Sequence, residues 1–490
     1  MSSPNEKNPH HRKRWLILAV VGLAQLMVVL DATIVNIALP SAQADLGFSD
    51  DSRTWIITAY ALAFGSLLLI GGRISDYFGR KRTLIAGLLG FAGASALGGA
   101  APSFEVLVAS RALQGAFGAL LAPAALSLLT TTFTDPGERA KAFGVFGAIA
   151  GGGGAVGLLL GGILTEYLSW RWNMYVNLFF AIPAAIAAGV LLVNQVAEHK
   201  VRMDIPGAIT ASAGLFALVF GFSKAESDGW TATITLVSFV IGAILLIAFV
   251  LLQRRVTNPM LPLRVVTDRT RGGSYIAVGV AGASMFGVFL FLTYYLQQTL
   301  GFSPIETGLA FLPMIAGLMI AAMWASTRLL PKFGPRPLVP TGMVLAMAGM
   351  IFLTGVGLDS TYAANVLPGL LLLGFGFGLI IAPSMASATL GVKASDSGVA
   401  SAMVNTCQQV GGSIGTALLS TISASAVTSF ASGKVPSPEL VAQASVHGYT
   451  TAFWWSAVIL GAGAVITALM LRSGAPETEH DSESSLVMAH

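Results

Sequence analysis

The sequence predicts an all-α, polytopic membrane protein: two six-helix bundles plus two extra linking helices, fourteen transmembrane helices in all. Three observations predict it. The first is composition. Of 490 residues, 54% are hydrophobic and only 10% charged, with mean hydropathy +0.76, whereas soluble domains carry about 25% charged residues. The second is length: runs of roughly 20 apolar residues, enough to cross a bilayer as a helix, recur along the chain. The third is charge placement. With the N-terminus cytoplasmic, 22 of the 27 Lys and Arg fall in the tails and alternate loops of the cytoplasmic side, as the positive-inside bias requires.

The spans run approximately over 15–39, 54–74, 83–101, 105–132, 141–166, 172–193, 205–224, 231–252, 274–299, 306–329, 337–357, 364–390, 398–425 and 449–471. Only Arg53, Arg171, Lys224 and Lys434 lie on the outer side, and Arg111 lies within a span. A basic cytoplasmic tail, 1–14, precedes the first span. That span has no small-residue cleavage site after it and reads as a retained helix rather than a signal peptide. Residues 15–195 and 274–472 form the two six-helix blocks, both Gly-rich and both with a basic loop after a short second helix. Residues 205–252 supply the two linking helices, and 473–490 form an acidic tail that reads as disordered. The pI near 9.2 reflects the cytoplasmic loops and points to the lipid bilayer, not to nucleic acid, as partner. Cys407 is the single cysteine, which excludes an internal disulfide.

Asp31 lies inside the apolar run of the first span. A carboxylate at the centre of a bilayer costs about 2.5–3.5 kcal/mol on insertion scales, so such residues mark ion, proton or substrate handling. Arg111 is the matching basic residue, in the fourth span. Counting from the outer ends of their helices at 1.5 Å per residue puts the two within about 3 Å of the same depth. Gln114 follows one turn on, on the same helix face. Apolar surroundings and a neighbouring guanidinium act oppositely on the proton of Asp31. A change of geometry between two conformers therefore changes its proton affinity. A static ion pair that only orients two helices is the alternative.

Several motifs have the form of one transporter family. Between spans 2 and 3 stand Gly72, Asp76, Gly79, Arg80, Lys81 and Arg82. A glycine there permits a tight turn, and Asp76 at a helix end can pair with Arg80 or a neighbouring helix, a bond able to latch one conformer. The loop resembles the signature loop of the major facilitator superfamily. Its second-half counterpart keeps only Lys332, Gly334 and Arg336, with Pro331 where the acid would be. The segment Leu30–Pro40 looks like the first-span motif of the drug:proton antiporters with fourteen spans, and Arg111–Gly118 is similar to the superfamily's intramembrane arginine motif. Trp170–Asn177 and Ser397–Gly412 match as well. The resemblance covers nearly the whole chain. It implies that spans 1 and 4 are neighbours.

Span 5 carries Gly153, Gly157, Gly161 and Gly162. Small residues four apart let helix backbones approach. The segment resembles the glycine motif of exporters, except that Leu158 replaces its proline. Glu166, Asp204, Glu306 and Asp359 fall at span ends and read as interfacial charges, Glu306 being the first choice for a secondary role in coupling. Candidate substrate-cavity residues are Gln25, Asn36, Gln114 and Tyr294, together with Asn405, Gln408 and Gln409, whose i, i+3, i+4 spacing shares one face. Interhelical hydrogen bonding explains the last three equally well.

Nothing points to an enzyme: the chain has no metal-ligand cluster, no nucleophile–base arrangement and no phosphate-binding loop. The resemblance implies a secondary exporter of amphipathic drugs or antibiotics, working by alternating access in the bacterial cytoplasmic membrane. Both termini would be cytoplasmic. Its partners would be a small-molecule substrate and protons; it would need no cofactor beyond the proton gradient and would act as a monomer. The alternatives are a dedicated exporter of one metabolite, such as a self-made antibiotic or an amino acid, and a membrane sensor without transport.

Overall fold

The computed structural model describes residues 13–49, 52–133, 136–193, 204–256, 259–389, 392, 397–435 and 437–472. Most of the basic N-terminal tail, the acidic C-terminal tail and the side chain of Asp76 lie outside the described residues. All described regular structure is helical. The first group comprises α1 (Arg14–Leu46), α2 (Thr54–Phe78), α3 (Arg80–Gly99), α4 (Phe104–Thr132), α5 (Pro136–Tyr167) and α6 (Trp172–Leu191). Then come α7 (Ile205–Asp228), α8 (Thr233–Arg255) and the short α9 (Leu263–Thr267). The rest are α10 (Arg269–Tyr294), α11 (Pro304–Trp324), the short α12 (Leu330–Phe333), α13 (Pro335–Leu353), α14 (Leu367–Thr389), α15 (Ser397–Ala431) and α16 (Pro438–Met470). Single π-helical turns extend α10 to Thr299 and α11 to Leu329, and one precedes α14 from Tyr362.

Each predicted span is a helix. Twelve segments of the described chain are long and apolar enough to cross a membrane, and α2 and α5 hold shorter apolar stretches, Thr54–Leu68 and Gly153–Tyr167. This is a multi-pass membrane protein. Several helices outrun their hydropathy. The first, expected to end at Leu39, continues through Pro40 to Leu46 and stops where Gly47 turns left-handed at φ 68°. Proline is tolerated within membrane helices because neighbouring groups satisfy the freed carbonyl. The last, expected from 449, starts at Pro438, where the Ser437 side chain accepts from the Leu440 backbone N–H. Hydropathy marks the apolar middle of a helix; caps mark its ends.

Helix α1 packs on α4, α5 and α6, with α2 and α3 gathered on α4. Helix α10 packs on α14, α15 and α16, with α13 between α14 and α16. The two groups meet where α2 lies on α15 and α5 on α11. At the end of the molecule where α1 finishes, Tyr294 Oη donates to Gln43 Oε1 at 2.5 Å and Gln297 Nε2 to the Ile37 carbonyl at 3.2 Å. The pair α7–α8 leans on both groups, α7 touching α2 and α15. Ser212 Oγ donates to the Ser66 carbonyl at 2.6 Å. Asp204, expected as an exposed interfacial charge, is buried: it caps α7 and accepts from Gln253 Nε2 at 2.6 Å. Gln253 Oε1 in turn accepts from the Leu261 N–H at 2.9 Å. An acid followed by Pro206 at the second helical position is an N-cap signal, and that signal explains Asp204 better than its position at a span end.

A candidate proton site around Asp31

Five helices converge on one carboxylate. Asp31 is fully buried on α1. From α4, Arg111 Nη1 donates to Asp31 Oδ2 at 2.5 Å, and Gln114 Nε2 donates to Asp31 Oδ1 at 2.8 Å. From α6, Asn177 Nδ2 donates to the same Oδ1 at 2.8 Å. From α3, Ser95 Oγ accepts from Gln114 Nε2 at 2.8 Å. From α2, the Ile56 carbonyl accepts from Arg111 Nε at 3.2 Å, and the Tyr60 ring lies under the guanidinium, 4.5 Å from centroid to Cζ. Arg111 also donates to Gln114 Oε1 at 2.7 Å, the i, i+3 contact that one face of a helix allows. Arg111, Gln114 and Asn177 are each at most 1% exposed.

The geometry fits an ionised acid. One carboxylate oxygen takes the charge-assisted bond from arginine, the other takes two amide donors, and bonds to a charged partner are roughly twice as strong as neutral ones. Removing one member of a buried pair strands the other, at about 3–5 kcal/mol. The cluster is therefore stable as it stands, and its balance shifts only if a proton, a cation or a change in helix spacing reaches it.

Helix α5 fixes the opposite side of α1. A Cβ added at Gly157 would lie 3.2 Å from the Leu30 carbonyl oxygen, and one at Gly161 would lie 3.2 Å from that of Ile34. Gly153 faces Val29 on the same stripe. The glycine row thus grips the backbone on either side of Asp31, a close approach that any side chain would block. Gly162 faces α11 instead, at Ile305.

Other predicted residues are placed differently. Gln114 belongs to the carboxylate cluster, not to an open cavity, because its amide is used on both sides. Tyr294 is fully buried, its hydroxyl on Gln43 and its ring under the Arg53 guanidinium at 4.1 Å, so it ties α10 to α1 and does not line a cavity. Asn36 is buried and donates to the Ala32 carbonyl of its own helix at 3.0 Å. Gln25, Asn405, Gln408 and Gln409 are half-buried. Gln409 sits where α15 crosses α2, its Cβ 3.3 Å from a Cβ built on Gly65. Glu306, the candidate for a secondary coupling role, forms a capping box with Ser303 and is exposed. Glu166 Oε2 accepts from the Ile305 N–H at 3.2 Å, across the α5–α11 contact.

In the loop between α2 and α3, Gly79 adopts φ 90°, ψ 145°, a conformation that favours glycine, and both ends one helix and starts the next. Lys81 Nζ donates to the Gly189 carbonyl of α6 at 2.7 Å. Arg80 and Arg82 flank it on the first turn of α3. The close approach of α2 to α4 is at Gly71, against Ala119, whereas Gly72 has room for a Cβ. Arg73, counted in the sequence only among the cytoplasmic basic residues, donates to the Pro259 carbonyl at 3.2 Å and ties the last turns of α2 to the segment after α8.

Sequence reasoning did not assign Asn177, Ser95 or Tyr60. Asn177 closes the Trp170–Asn177 motif, so a signal existed. Ser95 and Tyr60 carry no signal that separates them from other polar residues in spans.

The chain matches the family model described as Major Facilitator Superfamily over residues 21–416. It is 47% identical to the puromycin resistance protein pur8 of Streptomyces alboniger, across 97% of this chain and 95% of that one. It is 36% identical to the cephamycin export protein CmcT of Amycolatopsis lactamdurans, over 95% of each. Among solved structures it resembles a bacterial homologue of the human lysosomal transporter Spinster in its inward-facing, unoccupied conformation. The TM-score is 0.63 at 15% identity, with 96% of this chain and 98% of that one covered, a likeness of fold alone. The match over most of its length, with these relatives, places the chain in the major facilitator superfamily of membrane transporters.

Proposed function

We propose that the chain is a proton-coupled exporter of amphipathic organic compounds, antibiotics among them, across the bacterial cytoplasmic membrane. The observation that carries the reading is the buried Asp31 carboxylate held by Arg111, Gln114 and Asn177. Similarity to proteins named for puromycin resistance and cephamycin export supports the substrate class. The fourteen long helices, all but the short α9 and α12, cross the bilayer with both termini in the cytoplasm, and the groups α1–α6 and α10–α16 rock against each other as two bundles. The bonds from Tyr294 and Gln297 to α1 close the outer end, which suits a conformer loaded from inside. The α2–α3 loop acts as a latch on the inner side. Protons enter Asp31 from outside and leave inward, and the substrate leaves by the opposite step. The transporter works as a monomer without a cofactor.

Inverted membrane vesicles test this. With an imposed pH gradient, dyes and antibiotics accumulate, a protonophore stops them, and Asp31→Asn loses the pH-driven component. Equal pH-driven uptake by that variant would remove Asp31 from the mechanism. A second reading, a carrier dedicated to one compound, is favoured by relatives each named for a single antibiotic. Movement of only one member of a chemically mixed panel would select it.

A further inference from the structure

The amide of Asn177 is used on one side only. Its Nδ2 donates to Asp31 Oδ1 at 2.8 Å, while its Oδ1 is buried with no hydrogen-bond partner. The amide of Gln114 is the opposite case. Its Nε2 has two acceptors, Asp31 Oδ1 and Ser95 Oγ, and its Oε1 accepts from Arg111. Turning Gln114 over would break all three bonds, so its orientation is fixed. Turning Asn177 over exchanges one unpartnered buried atom for another and leaves every other bond in place.

That asymmetry matters when Asp31 takes a proton. The acid then carries an O–H that needs an acceptor, and a buried donor left without one costs about 1–3 kcal/mol. The groups facing the carboxylate are Arg111 and Gln114 from α4, Asn177 from α6, Ser95 from α3 by way of Gln114, and Tyr60 from α2. Arg111 is the only charged group among them, Tyr60 the only other titratable one. A guanidinium has no acceptor, and the Gln114 oxygen already accepts from Arg111. The Tyr60 hydroxyl, also buried without a partner, makes no hydrogen bond to Asp31, whereas the Asn177 amide is already bonded to the carboxylate.

We propose that Asn177 is the positioning residue for the proton on Asp31: it donates to the carboxylate and, after rotating about its terminal torsion, accepts from the acid. The proton itself arrives from water and returns to water; the amide carries none. The inference rests on the reading of Asp31 as the coupling carboxylate. Because Asn177 belongs to α6, each protonation also changes which atom of α6 is bonded to α1.

The test measures the pH profile of substrate efflux in proteoliposomes, with Asp31→Asn as the control for the underlying reading. In Asn177→Leu the ionised acid loses a charge-assisted bond and the neutral acid a weaker one. The profile therefore moves to higher pH by about one unit, a tenfold change in proton affinity. Asn177→Gln keeps both donor and acceptor and returns the profile part of the way. An unshifted profile in Asn177→Leu, with Asp31→Asn inactive, overturns the positioning role and leaves the coupling role standing. pH-driven efflux in Asp31→Asn overturns the coupling role itself. If Asn177→Leu does not fold, the unmodified protein decides. Infrared difference spectra between low and high pH, with isotope-labelled asparagine, must show one asparagine carbonyl band shifting with the Asp31 acid band. An asparagine spectrum that stays flat as Asp31 titrates overturns the proposal.

Discussion

The interiors of the two helix groups are built from different chemistry. Buried within α1–α6 are two arginines, an aspartate, three asparagines and a glutamine: Arg53, Arg111, Asp31, Asn36, Asn173, Asn177 and Gln114. In α10–α16 the buried non-aromatic polar side chains, among the described residues, are all serines and threonines. Several of these bond to a carbonyl of their own helix, as Thr416 does to Gly412 at 2.8 Å and Thr421 to Ala417 at 2.9 Å. Around them lie Phe291, Phe311, Phe377, Met314, Met343 and Met350, each fully buried. Both groups have apolar cores, but only the first adds a charged cluster that bonds across its helices. On the proposed reading, one proton site in the first group suffices for coupling if the second serves mainly as the surface against which the first moves.

The largest effect that sharpens this contrast is on Arg111. Arg111→Ala leaves Asp31 buried without its counter-charge and lowers stability by about 3–5 kcal/mol. Adding Asp31→Asn to it recovers a large part of that loss, which thermal unfolding in detergent reads directly. Next is the glycine stripe. Gly157→Val drives its Cβ into the Thr33 hydroxyl and against the Leu30 backbone, costs about 1–3 kcal/mol by overpacking and reduces efflux. Gly93→Val, with nothing within 4 Å of its added Cβ, leaves efflux intact. Glu306→Ala removes a capping box, costs about 1 kcal/mol and leaves the pH profile of efflux in place, since the residue only closes a helix end. The smallest effect is on Thr416→Val, within about 0.5 kcal/mol, because its hydroxyl bonds only its own helix. A large loss of coupling there would break the contrast between the groups.

The sequence made the helices legible because apolar length is a strong signal, and depth along a helix was enough to bring Asp31 and Arg111 to one level. That count ran from Leu39, the edge of the apolar run; from the observed helix ends at Leu46 and Phe104 it would separate the two by about 12 Å, so the apolar edge and not the helix end was the useful ruler. What escaped was everything set by rotation about the helix axes. Gln114 and Tyr294 are polar residues in spans, and polarity alone does not say whether a side chain meets a cavity or another helix. Asp204 and Glu306 both stand near Pro at a helix start, a local capping pattern that outweighs their charge. Gly71 and Gly72 are adjacent, and only the position of α4 says which one must be small. Ser95 and Asn177 join the site because α3 and α6 flank α4 and α1, a neighbourhood no spacing encodes.

Proton release on substrate binding tests the central claim most directly. With purified transporter in weakly buffered detergent, saturating substrate added near the midpoint of the pH profile displaces protons from the wild type, and none from Asp31→Asn with its fold intact. Equal proton release from the two proteins would contradict the account.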